Sequence, residues 1–446
     1  MRSRPRHVVL AVAIAACVAG FAANVRTADS LPQPRAAAPS SPCDPDNGGL
    51  TLPDGFCAKV VADGLGATRH LAVRENGDVY VQLESGGKGG STVALRDADG
   101  DGRLEQQAWF GDHHGTGLEL RTGYVYVSSD EAVYRYQLTP GQLKPTGARE
   151  TVVSGFAKQQ QHSSKPIAFD GQGNMYVTVG APSNACQAQD RKAGVPGQKP
   201  CPLLERHGGI WRFKADELGQ TQEKDGHRYV TGLRNAVAIG WDPASDSLYL
   251  AQHGRDQLNT LWPGKFTDEQ NAELPAEEFH RVSDGSDIGW PYCYYDQIQN
   301  LRLLNPEYGG DGKTTGSCSQ TPKPLVAFPG HWGPNDLLFY TATAFPEKYR
   351  GGAFIAFHGS WNRAPLPQGG YLIAFVPMKD GAVTGPYETF ANGFAGRTPL
   401  LRPGDAAHRP TGLAVGPDGS LYISDDVKGR IWRVSFKGVG SVASGN

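Results

Sequence analysis

A pattern of hydrophobic and polar positions recurs six times along the chain. In each copy, an apolar segment leads through a polar turn, usually with glycine or proline, into a second apolar segment. Such turn residues supply the backbone angles that a tight reversal needs, so each copy predicts a β-hairpin. The six copies begin at Arg69, His114, His162, Arg234, Pro334 and Arg409.

Third strands follow several of these hairpins, at Val133–Tyr136, Gly209–Phe213 and Arg430–Val434. A small isolated sheet is marginally stable, so repeated sheets must pack face to face. The sequence therefore predicts an all-β fold, a six-bladed β-propeller of four-stranded antiparallel blades, with insertions in blades 3 to 5. Ala58–Val61 is placed to complete the last blade and close the ring. Two stacked β-sandwiches are the alternative.

Composition agrees with many short strands joined by turns, since the 446 residues include 58 glycines, 32 prolines and three methionines. The formal net charge of −2 disfavours a nucleic-acid partner, because nucleic-acid-binding domains usually carry a basic excess. Any site for an anion in this protein must therefore depend on a local cluster of positive side chains and not on the net charge.

The N-terminus has the pattern of an export signal, with arginines before an apolar run over residues 8–23. This run is short and rich in small residues, so no membrane span is predicted, although an uncleaved anchor is the alternative. Cleavage could follow Gly20–Ala22, or Ile14–Cys17 could be a lipoprotein box that leaves a lipid anchor on Cys17. The predicted location is periplasmic or secreted. The predicted segments are a signal peptide (1–23), a Pro/Ala/Ser-rich linker (24–42), the propeller (43–438) and a tail (439–446).

Export would place the six remaining cysteines in an oxidising compartment. Short loops cost the least entropy to close, so pairing between close neighbours is expected. The expected disulfides are Cys43–Cys57, Cys186–Cys201 and Cys293–Cys318. A C-x-x-C-H motif is absent from the sequence, so no c-type haem is attached to this chain.

Basic and imidazole side chains, together with two asparagines, a glycine and a tryptophan, recur just before the first strand or just after the second strand of the repeats. In a propeller these positions converge at one end of the central channel. The clustering predicts a site for a compact, multiply charged anion. The residues are Arg69, His70, His113, His114, His162, Lys165, Arg234, Asn235, His253, Gly254, Arg255, Asn335, His358, Trp361, Arg363, His408 and Arg409.

Four strings at these positions resemble the soluble quinoprotein sugar dehydrogenases, most closely the sorbosone and pyranose dehydrogenase-like branch. The strings are His162–Phe169, Gly232–Asn235 with Gln252–Gly254, Gly289–Tyr295 and His358–Arg363. The resemblance runs from about Cys43 to Val434. It implies a six-bladed propeller that binds pyrroloquinoline quinone (PQQ) and Ca²⁺, oxidises the C1 hydroxyl of a sugar by hydride transfer, and passes electrons to a separate cytochrome or quinone.

The resemblance also implies roles for individual residues. His162 matches the general base and Arg234 the arginine that, with Ca²⁺, polarises the quinone. Gly254 and Arg255 match the stretch whose backbone carbonyls hold that Ca²⁺. Residues predicted to contact the cofactor are Arg409, Asn235, Lys165, Arg69, His114, His358, Trp361 and Arg363.

These residue types suit the chemistry. Histidine can remove a hydroxyl proton near neutral pH, and an arginine with a bound cation stabilises charge that builds on a quinone oxygen. The three carboxylates of PQQ need Lys or Arg partners.

The chain departs from the family pattern at three places. Thr411 stands where a second arginine of the last blade is expected, and the lysine expected after the second strand of blade 5 is not evident. His113 or His114 replaces a glutamine of blade 2. These departures bear on cofactor affinity and substrate orientation more than on the type of reaction.

A second Ca²⁺ site is predicted at Asp97, Asp99, Asp101 and Glu105, which follow calcium-loop spacing without the usual last glutamate. A charged surface turn is the alternative at this loop. For the whole protein, the alternatives are a calcium-dependent lactonase and a non-catalytic carbohydrate- or protein-binding propeller, because a fold does not fix a function.

Overall fold

The computed structural model describes residues 43–438. The predicted signal peptide, linker, C-terminal tail and Cys17 anchor lie outside these described residues. No described helix is long and apolar enough to cross a membrane.

The six predicted blades are confirmed, and each is an antiparallel sheet of four main strands. The first strand, β1 (Phe56–Ala62), belongs to the last blade. Blade 1 consists of β2 (Ala67–Val73), β3 (Val79–Ser85), β4 (Thr92–Arg96) and β5 (Gln106–Phe110). Blade 2 consists of β6 (Leu118–Arg121), β7 (Tyr124–Ser128), β8 (Val133–Gln137) and β9 (Glu150–Ser154), with the short β13 (Gln220–Thr221) outside β9. Blade 3 consists of β10 (Ile167–Phe169), β11 (Asn174–Val179), β12 (Gly209–Lys214) and β14 (His227–Thr231), with β18 (Ser286–Asp287) outside β14.

The remaining blades follow the same plan. Blade 4 consists of β15 (Ala238–Asp242), β16 (Ser247–Gln252), β17 (Glu277–Val282) and β21 (Val326–Phe328). Blade 5 consists of β22 (Pro334–Phe339), β23 (Ala353–Phe357), β24 (Leu372–Val376) and β27 (Glu388–Ala391). Blade 6 consists of β28 (Pro410–Val415), β29 (Leu421–Asp425), β30 (Ile431–Phe436) and β1. Two hairpins lie outside the blades: β19 (Cys293–Asp296) with β20 (Leu301–Leu304), and β25 (Met378–Lys379) with β26 (Ala382–Val383).

The ring closes where β1 pairs with β30 in antiparallel register, from Phe56 opposite Phe436 to Ala62 opposite Ile431. This pairing confirms the role predicted for Ala58–Val61. The alternative of two stacked sandwiches is wrong, because the four-stranded sheets follow one another around a closed ring.

The hydrophobic core lies between neighbouring blades, and each of the six interfaces holds its own buried cluster. The tyrosine of the repeated strand phrase explains part of this packing. The rings of Tyr80, Tyr126 and Tyr249 are fully buried, while their hydroxyls donate to the carbonyl oxygens of Leu143, Ala215 and Gly381 at 2.7–3.0 Å. A tyrosine in this position buries its ring without leaving a polar atom unpaired.

All three expected disulfides are present. Cys186–Cys201 closes a loop between β11 and β12, and Cys293–Cys318 lies in the long connection from β17 to β21. The connections carry the short helices α1 (Gln222–Asp225), α2 (Leu258–Leu261) and α3 (Asp268–Glu273). They also carry 3-10 turns at Asn47–Gly49, Pro202–Glu205, Pro306–Tyr308, Gly316–Gln320, Glu347–Tyr349 and Pro403–Asp405.

Candidate active site

A cavity of about 330 Å³ lies among the loops of blades 3 to 6 that precede the innermost strands or follow the second strands. This volume is within the range of small-molecule sites, roughly 300–1,000 Å³. Its lining residues are Gln161, His162, Arg191, Arg234, His253, Gly254, Asp256, Glu277, His331, Gly333, His358, Gly359, Ser360, Trp361, Pro403 and Arg409. The structure therefore brings seven of the residues predicted for the site to one cavity: His162, Arg234, His253, Gly254, His358, Trp361 and Arg409.

His162 is held in one orientation on the cavity wall. Its Nδ1 lies 2.5 Å from the carbonyl oxygen of Ala181, which can only accept a hydrogen bond, so Nδ1 carries the proton. The lone pair of the neutral imidazole is then on Nε2. Burial, followed by the charge of Arg234, holds the pKa of His162 well below its usual range. His162 is therefore a neutral base at neutral pH.

Gly180 permits the close approach that places His162. A Cβ atom at this position would lie 2.6 Å from the Cβ of His162 and 2.8 Å from Oδ1 of Asn235. Both distances are shorter than real Cβ contacts, so any side chain here must displace its neighbours.

We expect Gly180→Ala to lower kcat/KM at least tenfold without unfolding the protein, because misplacing a reacting group by 1 Å can cost about a hundredfold in rate. Steady-state kinetics with a thermal melt would check this. Gly171→Ala is the matched control, since a Cβ at this exposed turn position meets nothing within 4 Å. An unchanged kcat/KM in Gly180→Ala would show that the position of His162 does not limit the reaction.

Arg234 is buried and shares a carboxylate with a second arginine. Its Nη2 donates to Oδ2 of Asp256 at 2.6 Å, and Nη2 of Arg191 donates to the same oxygen at 2.9 Å. Burial alone would raise the pKa of Asp256, but the charges of Arg234, His331 and Arg191 and the hydrogen bond from Arg191 together outweigh it and keep the pKa well below its usual range. The Asp256 carboxylate is thus ionised and fixes the direction of Arg234.

Arg409 and His358 form a pair on the opposite wall. The Nη2 of Arg409 lies 2.8 Å from Nε2 of His358, and its Nε donates to the His358 carbonyl at 3.1 Å. Because an arginine nitrogen only donates, Nε2 of His358 accepts and Nδ1 carries the proton. Burial, followed by the Arg409 charge, keeps the pKa of His358 well below its usual range.

The lining carries an excess of positive charge. Three guanidiniums, from Arg191, Arg234 and Arg409, line the cavity with one ionised carboxylate, that of Asp256. Asp190 lies outside the lining, 3.8 Å from Arg191, so one positive charge is left in excess. Glu277 also lines the cavity, but burial raises its pKa to about 8, so it is mostly protonated at neutral pH. The cavity is therefore suited to an anion, as the sequence predicts.

Buried polar atoms without a protein partner test whether PQQ fits this cavity. Among the described residues, Nε of Arg234, Oδ1 of Asn235 and Nδ1 of His358 have no hydrogen-bond partner. Two of these atoms are donors on the cavity lining, which is the arrangement that an oxygen-rich anion requires. The residues present fit a carboxylated quinone.

Other predicted cofactor contacts do not line the cavity. Lys165 is fully buried, its ammonium binds the Ser163 carbonyl, and burial lowers its pKa to about 8. Arg69 pairs with Glu84 at 3.2 Å and with Asp426 at 3.3 Å. Two further predicted contacts have protein partners in the same way: His114 Nδ1 lies 3.3 Å from the Leu83 carbonyl, and Arg363 pairs with Glu273 at 2.5 Å. The side chain of Arg255, which was predicted to bind Ca²⁺ through its backbone, pairs with Glu307 at 2.5 Å, and Thr411 donates to the Thr68 carbonyl at 2.9 Å.

Five lining residues with charged, amide or imidazole side chains were missed in the sequence: Gln161, Arg191, Asp256, Glu277 and His331. His331 could have been found, because it precedes β22 as His162 precedes β10. Asp256 directly follows the Gly254–Arg255 stretch and could also have been included. Arg191 lies inside an insertion, where the repeat offers no signal.

The four acidic residues predicted as a second Ca²⁺ site lie together in the turn between β4 and β5. One carboxylate oxygen from each of Asp97, Asp99, Asp101 and Glu105 lies within 4.8 Å of the others. The turn is mostly exposed and lies at the outer side of blade 1, so it is separate from the cavity.

The fold and the cavity together define a six-bladed propeller protein with a cationic, histidine-lined ligand site at one end of its channel. A family model described as TrAA12-like matches residues 50–437. The chain belongs to this TrAA12-like family.

Two curated relatives are similar in sequence. An uncharacterized protein of Borreliella burgdorferi is 26% identical over 282 residues, which cover 62% of each chain. The PQQ-dependent sugar dehydrogenase of Hypocrea jecorina is 23% identical over 428 residues, which cover 87% of this chain and 91% of that protein.

Two solved structures share the fold. The holo PQQ domain of pyranose dehydrogenase from Coprinopsis cinerea superposes with a TM-score of 0.69 at 19% identity, covering 89% of this chain and 99% of that one. A calcium structure of the Trichoderma reesei Carbohydrate-Active Enzymes Family AA12 protein gives a TM-score of 0.70 at 20% identity, covering 87% and 97%.

Proposed function

We propose that this protein oxidises the C1 hydroxyl of a sugar, such as an aldose, a pyranose or a sorbosone-like compound, with PQQ bound in the cavity. The observation that carries the proposal is a neutral base, His162, on the wall of a cavity where Arg234 and Arg409 provide an excess of positive charge. The similarity to the Hypocrea jecorina sugar dehydrogenase and to the PQQ domain of Coprinopsis cinerea supports the same chemistry.

His162 would accept the proton of the sugar hydroxyl at Nε2, since Nδ1 is engaged by the Ala181 carbonyl. Removing this proton as the C1–H bond breaks makes the carbon a better hydride donor. The bond to Ala181 also stabilises the imidazolium that forms, because the carbonyl oxygen then faces a full positive charge.

Bound PQQ would supply the electrophilic carbon that takes up the hydride. Arg234, held in place by Asp256, would present a fixed positive charge to the quinone oxygen. Arg409 and the Nδ1–H of His358 would hold carboxylates of the cofactor. Ca²⁺, held by the backbone carbonyls of Gly254 and Arg255, would add a second positive charge on the quinone side.

Titration of the purified protein with PQQ, with and without Ca²⁺, tests the proposal directly. We expect a saturable change in cofactor absorbance, together with dye-reducing activity on some members of a broad sugar panel. Chelation of Ca²⁺ before the titration is the matched control. If neither absorbance nor dye reduction responds, the proposed function is wrong.

The pH dependence should reflect the lowered pKa of His162. An unperturbed histidine loses half of its basic form near pH 6.5. Since the pKa of His162 lies well below this value, its basic form persists as the pH falls through 6.5. We expect kcat/KM, which reports the free enzyme, to stay level from neutral pH to below 6.5 and to fall only at more acidic pH. A midpoint at or above pH 6.5 would contradict this assignment.

We also propose that the protein is exported and passes its electrons to a separate cytochrome or quinone. Three disulfides support export, because such bonds persist in oxidising compartments.

The cluster formed by Asp97, Asp99, Asp101 and Glu105 would bind a structural Ca²⁺. We expect added Ca²⁺ to raise the melting temperature of the unchanged protein, and we expect this rise to be lost in Asp99→Asn.

A further inference from the structure

Arg191 reaches the cavity from a loop that the repeat does not predict. The loop leaves blade 3 after β11 and is closed by the Cys186–Cys201 disulfide. It is also tied to the connections of blade 4, because Gly194 donates to the Leu261 carbonyl at 3.0 Å and Gly197 donates to the Glu307 carbonyl at 2.9 Å. The loop therefore holds Arg191 in a defined position against the cavity.

The guanidinium of Arg191 makes one hydrogen bond from each nitrogen. Nε donates to Gln161 at 3.2 Å, Nη1 to Gln257 at 2.7 Å and Nη2 to Asp256 at 2.9 Å. A guanidinium has five N–H donors, so one donor remains on each terminal nitrogen. The side chain is 25% exposed and lines the cavity, so these two donors can reach a ligand.

Arg191 lies beside the most exposed large side chain of the cavity lining. Its guanidinium is 5.9 Å from the ring of Trp361, which lines the cavity and is 52% exposed. Gln161, which accepts from Arg191, directly precedes His162 in the chain. By contrast, Arg234 is only 4% exposed, deep in the site. Arg191 thus contacts both an exposed part of the lining and the residue that precedes the proposed base.

The charge of Arg191 is already offset. Arg191 and Arg234 both donate to Asp256, and Asp190 lies 3.8 Å from Nε of Arg191. Two carboxylates therefore face two guanidiniums in this part of the site. The spare donors suit neutral hydroxyl oxygens better than a further carboxylate.

We propose that Arg191 is a specificity-determining residue that donates hydrogen bonds to hydroxyl oxygens of a neutral sugar beside His162. This inference rests on the proposed function and extends it by naming the sugar contact and the charge of the substrate. A uronate should be a poorer substrate than the neutral sugar with the same ring stereochemistry.

The test compares Arg191→Gln and Arg191→Lys with Lys192→Gln. The control removes a positive charge from the same loop at a residue that contacts Gln189 and does not line the cavity. Three quantities are measured: KM and kcat by dye reduction, cofactor affinity by absorbance titration, and sugar affinity by calorimetry with the cofactor kept reduced so that no turnover occurs.

We expect Arg191→Gln to weaken sugar binding and raise KM by about ten- to a hundredfold, the loss that follows from one charge-assisted hydrogen bond. Its kcat and cofactor affinity should stay within about threefold of the original values. Arg191→Lys should recover part of the sugar affinity, because lysine keeps the charge and a donor without the planar fork. The control should behave as the unchanged protein.

Three results would overturn the inference: an unchanged sugar affinity in Arg191→Gln, a weakened cofactor affinity with an unchanged KM, or a uronate preferred by the unchanged protein. The second result would assign Arg191 to the cofactor instead. Failure of the proposed function is distinguishable, since it would appear as an absence of PQQ binding and dye reduction in the unchanged protein.

Discussion

Replacing His162 by alanine is expected to lower kcat by about 10²–10⁴-fold, the usual contribution of a positioned general base. Cofactor affinity should remain close to that of the unchanged protein, because the ring is oriented by the Ala181 carbonyl and its role is proton transfer. Stopped-flow measurement of cofactor reduction by the sugar would isolate this step. It should be combined with an absorbance titration of cofactor binding.

The control for this substitution is His227→Ala. His227 is half exposed and pairs with Asp284 at the surface of blade 3, away from the cavity. Its replacement should leave both kcat and cofactor affinity unchanged. If His162→Ala instead lost cofactor binding but kept its kcat at saturating cofactor, His162 would be a ligand contact and the assignment as base would be wrong.

Replacing Arg234 by glutamine is expected to lower kcat by about 10²–10³-fold, the cost of removing one fixed donor from a developing negative charge. Cofactor affinity should fall as well, since a buried positive charge leaves the cavity. The fold should survive because Arg191 still pairs with Asp256. Single-turnover kinetics, an absorbance titration and a thermal melt would measure these three effects.

Arg212→Gln is the matched control, because Arg212 is a blade 3 arginine with a surface partner, Asp284, at 3.3 Å. It should affect neither kcat nor cofactor affinity. An Arg234→Gln variant with unchanged kcat but weakened cofactor binding would restrict Arg234 to holding the ligand.

The propeller fold could be predicted from the sequence because each of the repeated hairpins can be recognised by itself. The apolar run in Val79–Val81 or Leu248–Leu250 predicts a strand, and the tyrosine within each of these two phrases is buried against the next blade. The ring closure was also predictable, because Ala58–Val61 is a strand without a neighbour in its own part of the chain. The three disulfides could be predicted because the two cysteines of each pair lie close together in the sequence.

The site was predictable only where a residue sits at a fixed place in the repeat. His162, Arg234, His358 and Arg409 hold such places and line the cavity. Position alone does not reveal a partner elsewhere in the chain. The sequence does not show that Arg69 pairs with Asp426 or Arg363 with Glu273, because these acidic partners come from neighbouring blades. Such partners decide which cations remain for a ligand.

The pairing of β1 with β30 has a consequence for the integrity of the site. Two segments at opposite ends of the described chain complete one sheet, so this sheet cannot form until both have been synthesised. Arg409 enters the cavity from that same blade, directly before β28. Cutting away the β1 segment would bare the edge of β30 and loosen the wall that carries Arg409. An intact β1 is therefore needed to hold Arg409 in the proposed ligand site, although β1 and Arg409 lie near opposite ends of the described chain.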